Sequence, residues 1–111
     1  MDIPKEDIIC IIPARGGSKG LPLKNIKLID DEPLIVRPIR HAIESGVIGT
    51  VLVTTDDQEI AEIAKNAGAL VPFIRPSYLA GDLVTTEDTL RHALIAYEGM
   101  FDKRFELSIW I

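Results

Sequence analysis

Residues 8–20 read IICIIPARGGSKG. Five apolar residues, Ile8 to Ile12, run without a polar break to Pro13, and a basic, glycine-rich loop follows at once. A strand that is apolar at every position hides both of its faces, which is the habit of a parallel sheet covered on two sides. The rest of the chain repeats the theme. Val51 to Thr55 is a second buried strand, Leu70 to Ile74 a short third one, and Phe105 to Ile111 the start of a fourth. Between them lie segments of helical period, so the order of elements is that of an α/β fold with a mostly parallel sheet.

The helices carry their own start and stop signals. Ile35, Ile39, Ala42 and Ile43 recur at helical spacing from a start near Leu34, and Gly46 supplies the stop. Pro38 falls in the first turn, where its missing N–H has no intrahelical partner to lose. Thr55 to Gln58 and Asp56 to Glu59 form two overlapping capping boxes for the second helix, whose inward stripe is Ile60, Ile63, Ala64 and Ala67 before Gly68. Residues 86–98 form the third helix, with Leu90, Ala93, Leu94 and Tyr97 on its inner side. Asn25 to Ile29 reads as a short extended segment before a turn at 30–33, and Arg75 to Val84 as a polar connection.

Composition narrows the class. The 111 residues are one domain's worth, 47% apolar and 26% charged, as in globular proteins. No apolar run approaches the roughly 18 residues that span a bilayer, and the acidic N-terminus MDIPKED is no signal peptide, so a cytoplasmic location is expected. The net charge of −5 argues against nucleic-acid or membrane-surface binding. Yet residues 8–29 hold no Asp or Glu, while Arg15, Lys19, Lys24 and Lys27 all fall there. Such local positive charge suits a small anion. The lone Cys10 reads as a small buried hydrophobe.

In open α/β sheets ligands bind beyond the carboxyl ends of the strands, where residues 13–20 lie. Glycines let main-chain N–H groups approach an anion, Arg15 and Lys19 add charge, and Ser18 adds a donor, so the loop is suited to phosphate. It is not a Walker A loop, because Gly16, Gly17 and Gly20 lack that spacing and no Lys-Ser pair follows. Nor is it a dinucleotide fingerprint, since Arg15 stands where glycine is needed and Pro22 blocks the helix that should follow.

Ile12 to Asn25, IPARGGSKGLPLKN, resembles the opening motif of the acylneuraminate cytidylyltransferases, which make CMP-sialic acid and related CMP-nonulosonates. The likeness continues through Pro33-Leu34-Ile35, VTTDD at 53–57, Ile60-Ala61, Gly68-Ala69, FIRP at 73–76, LAGD at 79–82 and His92-Ala93-Leu94. The resemblance implies a Rossmann-like three-layer nucleotidyltransferase fold, of which these 111 residues would be the N-terminal, CTP-binding part of a single domain and therefore incomplete. It implies transfer of CMP from CTP to the anomeric hydroxyl of a nine-carbon 2-keto sugar acid, with release of pyrophosphate, and Mg2+ as cofactor. Position by position, the nucleotide loop falls on Ala14, Arg15, Gly16, Gly17 and Ser18, completed by Lys24 and Asn25. Arg15 and Lys24 would neutralise the triphosphate, the catalytic task in such chemistry. Asn25 would reach the ribose or a phosphate. Arg75 matches an arginine at the base end of the nucleotide, and Val84 and Thr86 fall where the family lines the cytosine and ribose pocket. The family's QPTSPL segment, its metal-binding aspartates and the part that builds its homodimer are expected outside this chain. Two other readings stand beside this one: a truncated, non-catalytic nucleotide-binding module, and a nucleotidyltransferase for a different sugar.

Several polar residues have plainer readings. Asp56 and Asp57 are explained by helix capping, His41 and His92 as surface or packing residues, and Glu44, Glu59 and Glu62 as solvated helix faces. Asp82 and Lys19 are each left between ligand contact and a local role.

Overall fold

The computed structural model describes residues 3–14, 28–29, 32–75 and 85–110. Its strands are β1 (Ile8–Pro13), β2 (Leu28–Ile29), β3 (Glu32–Pro33), β4 (Thr50–Thr54) and β5 (Leu107–Trp110). Its helices are α1 (Val36–Glu44), α2 (Gln58–Asn66) and α3 (Thr86–Phe101). The Ile8 run is the central strand of a parallel sheet ordered β4-β1-β5. Ile9 to Pro13 pair with Thr50 to Thr54 on one side, and Ile8 to Ile11 with Leu107 to Trp110 on the other. Beyond β4 the sheet gains one further parallel bridge, Leu52 to Leu70.

Alternation along β1 divides the interior in two. Cys10 and Ile12, with Val51 and Val53 of β4, face α1 and α2 and meet Ile39, Ala42, Ile60, Ala61 and Ala64. Ile9 and Ile11, with Leu52, face α3 and meet Leu90, Ala93 and Tyr97, with Phe73, Leu94 and Phe105 packed alongside. The strand is therefore apolar throughout because helices lie on both its faces, as its composition predicts. Cys10 is free, fully buried, and its thiol pKa is pushed up by that burial.

The helix ends follow local chemistry. Asp57 caps α2, one Oδ accepting from the Ile60 N–H at 3.0 Å, and Thr55 Oγ1 accepts from the Asp57 N–H at 3.1 Å. The two overlapping boxes foreseen in the sequence are not the caps used: Asp57 is the last extended residue before Gln58, so its side chain faces the free N–H groups. Thr85 caps α3 by accepting from Asp88 N–H at 3.0 Å. Gly46 and Gly68 turn the chain out of α1 and α2 with φ of 74° and 106°. Pro38 is indeed in the first turn of α1.

Three local expectations are corrected. Residues 70–74 form no strand beyond the single bridge. Leu70 N–H donates to Val51 O at 2.8 Å and its carbonyl accepts from Val53 N–H at 3.0 Å, but the next donor in the ladder would be residue 72, a proline without an N–H. Ile43 of the predicted α1 stripe is 44% exposed. Helix α3 runs past Gly99 to Phe101, where Tyr97 and Phe101 stack at 4.6 Å, and it ends in left-handed Asp102 (φ 49°). Glu98 then ties the turn to β5: one carboxylate oxygen accepts from Phe105 N–H at 3.1 Å, and its carbonyl accepts from Lys103 N–H.

Candidate functional site

The sheet order places a break in winding direction beside β1. After β1 the chain adds β4 on one flank through α1, continues outward to the Leu70 bridge through α2, and then returns through α3 to place β5 on the opposite flank. The connections on the two sides of β1 lie on opposite faces, so the carboxyl end between β1 and β5 is the switch point, the place at which such sheets bind ligands. The chain leaving β1 there begins with Ala14.

Two predicted site residues are anchored to the end of β4. Ala14 is buried, and its N–H donates to Thr54 O at 3.0 Å, extending the ladder by one residue. Arg75 is 3% exposed, and its N–H donates to Thr55 O at 2.7 Å. Consecutive carbonyls of one strand point to opposite sides, so Ala14 and Arg75 straddle β4 with their backbones about 10 Å apart, two interstrand spacings. Thr86 is the first residue of α3, which also begins at this end of the sheet. Arg15, Gly16, Gly17, Ser18, Lys24, Asn25 and Val84 lie outside the described residues, as do Lys19 and Asp82.

Two residues without an expected site role, Thr54 and His92, hold buried polar atoms. Thr54 Oγ1 is buried on the α3 side of the sheet, and His92 Nδ1 is buried on α3; neither has a hydrogen-bond partner among the described residues. The signal for Thr54 was available: it follows Leu52 by two, on the same face of β4, at the strand's ligand-facing end. His92 is half-buried with its ring against Phe73, in keeping with its reading as a packing residue. Asp57 spends a carboxylate oxygen on its helix cap, and no group of three His, Cys, Asp or Glu gathers to hold a metal among the described residues. A wide, open depression does exist, but it is lined by Lys5, Ile43, Gly49 and Leu70 at the amino ends of the strands. The switch-point argument favours the opposite end.

These features define a doubly wound α/β domain whose switch point sits at the end of its first strand. The model of the family described as Cytidylyltransferase matches residues 9–98. The chain belongs to the cytidylyltransferase family. It is 41% identical over 86 residues to the pseudaminic acid cytidylyltransferase of Campylobacter jejuni, covering 78% of this chain and 37% of that one. It is 42% identical over 90 residues to the N-acylneuraminate cytidylyltransferase of Escherichia coli, covering 81% and 21%. With the CMP-N,N'-diacetyllegionaminic acid synthase of Legionella pneumophila the identity is 39% over 93 residues, covering 84% and 40%. Among solved structures, a CMP:2-keto-3-deoxy-manno-octonic acid synthetase complexed with CTP has a TM-score of 0.68 at 22% identity, covering 93% of this chain and 39% of that one, a likeness of fold. The chain thus spans well under half the length of the relatives it matches. No helix among the described residues is long and apolar enough to cross a membrane.

Proposed function

We propose that this chain is the CTP-binding N-terminal part of a CMP-nonulosonate synthetase. The sugar's anomeric hydroxyl oxygen attacks the α-phosphorus of CTP in line; the new bond is O–Pα, the bond broken is Pα–O to the β-phosphate, and pyrophosphate leaves. The observation that carries the reading is Ala14 at the carboxyl end of β1, next to the switch point, with Arg75 anchored at the same end of the sheet on the far side of β4, in a chain of the cytidylyltransferase family. In this reading the loop Ala14, Arg15, Gly16, Gly17, Ser18 holds the phosphates with main-chain N–H groups from residue 15 onward, because the Ala14 N–H is committed to Thr54. Arg15 and Lys24 neutralise the charge that builds on the departing pyrophosphate. Asn25 takes the ribose or a phosphate, Arg75 the base end, and Val84 and Thr86 the nucleoside pocket.

Mg2+ would supply charge neutralisation between the phosphates. Following the family resemblance, its ligands are assigned to sequence outside this chain, and no step above runs through it. The acceptor is read as a nine-carbon 2-keto acid because the pseudaminic, acylneuraminic and legionaminic acid enzymes are the relatives near 40% identity. A homodimer and a cytoplasmic location complete the reading, with no nucleic-acid or membrane partner; the acidic net charge and the free Cys10 accord with it.

Arg15→Ala and Lys24→Ala are each expected to weaken CTP binding by about 1.5–3 kcal/mol, the range for hydrogen bonds to charged groups. Calorimetric affinities unchanged in both variants would sink the assignment. The rival reading is a nucleotide-binding module without catalysis. It predicts CTP binding with no pyrophosphate released when nine-carbon 2-keto acids and Mg2+ are supplied; release of pyrophosphate rejects it.

A further inference from the structure

The segment that carries Arg75 leaves the sheet early. Pro72 ends the ladder after the Leu70 bridge, so residues 71–75 lack the run of main-chain bonds that fixes a strand. Two anchors are described in its place. One is the Arg75 N–H to Thr55 O bond at 2.7 Å. The other is Phe73, which packs against the α3-side core and presents its ring to His92 at 6.0 Å between centroids and 86° between planes. That edge-to-face arrangement sets the positive rim of one ring against the negative face of the other, so it has a preferred geometry as well as contact area. His92 stands on α3 between Leu90 and Ala93, both buried against the sheet, so its backbone is fixed by the core.

We propose that His92 is a positioning residue for Arg75, acting through the Phe73 ring: the imidazole clamps the irregular 73–75 segment onto α3 and so sets where the guanidinium meets the nucleotide. This rests on the reading of Arg75 as a nucleotide contact. A clamp of this kind acts on binding geometry, so its loss raises the CTP dissociation constant and KM and leaves kcat little changed.

The test is a set of variants of the polypeptide as its gene encodes it, with CTP affinity read by calorimetry and folding by thermal melting. His92→Ala is expected to raise the CTP dissociation constant about two- to ten-fold, the span of an aromatic pair. His92→Phe, which keeps a ring against Phe73, is expected to restore affinity. In an Arg75→Ala background, His92→Ala should cost nothing further in affinity while still lowering the melting temperature as it does alone; His92→Leu repeats the comparison should the alanine variant fold poorly. Additive losses of affinity in the Arg75→Ala background would overturn the proposal. So would rescue by His92→Asn but not by His92→Phe, which would move the effect from ring packing to Nδ1. Unchanged affinity in Arg75→Ala itself would reject the nucleotide role of Arg75, whereas a loss there with no effect of His92→Ala would reject the clamp alone.

Discussion

The two faces of the central sheet are built differently. On the α1/α2 side the core is aliphatic and small-grained: three buried alanines, Ala42 of α1 and Ala61 and Ala64 of α2, face β1 and β4. On the α3 side one long helix covers the sheet, and aromatic rings at Phe73, Tyr97 and Phe105 fill the space that a second helix takes on the other side. Rings have directed contacts where methyl groups have only volume, so the α3 side can place a neighbouring segment as well as bury it. Phe73, two residues before Arg75, packs on that side, whereas Val71 belongs to the α1/α2 cluster. The α1/α2 face serves as scaffold, and the α3 face couples scaffold to site.

The largest expected effects test this division directly. Ile39→Ala on α1 and Leu52→Ala on β4 beneath α3 each remove a fully buried side chain and should cost about 2–5 kcal/mol in urea denaturation. If the faces differ as described, Leu52→Ala also weakens CTP binding, because Leu52 belongs to the cluster on which Phe73 packs, and Ile39→Ala does not; equal losses of affinity would break the contrast. Next come the caps. Asp57→Ala on α2 and Thr85→Ala on α3 each leave a helix N–H without its acceptor and should cost about 1 kcal/mol by the same measurement. The smallest effect is at Arg91, whose guanidinium meets Glu87 at 2.7 Å on the outer side of α3, with both side chains more than half exposed. Arg91→Ala should change stability by no more than about 0.5 kcal/mol, and a melting curve superimposed on that of the parent protein is the outcome to look for.

Much of this architecture is legible in the sequence, where local patterns carry the same message as the fold. The unbroken IICII run could only be a strand covered twice, and the three helices follow from their stripes. The failures arise where one residue's chemistry outranks a pattern. Residues 70–74 have strand composition, but Pro72 withholds the one donor that the ladder needs next. The third helix is expected to end at residue 98, yet it continues to Phe101, which meets Tyr97 one turn earlier. The cap of α2 fell on Asp57 because the choice among three adjacent oxygen-bearing residues depends on which is last in extended conformation. For the site, composition reached an anion-binding loop, and only resemblance attached a role to Arg75. The packing of His92 is anticipated, but its partner Phe73 and the burial of Thr54 depend on register and on which helix lies opposite, both properties of the assembled sheet.

The position of β1 has a consequence for how the molecule is made. Its ladder partners lie about 40 residues downstream in β4 and about 100 downstream in β5. On a ribosome this apolar strand thus emerges well before either partner, and its second edge stays open until β5 has been synthesised. Closing so long a loop is slow compared with forming α1 or α2, so the contact order of the sheet, and not the helices, sets the folding time. Over that interval IICII is an uncovered strand edge, the part of the newborn chain most in need of a chaperone.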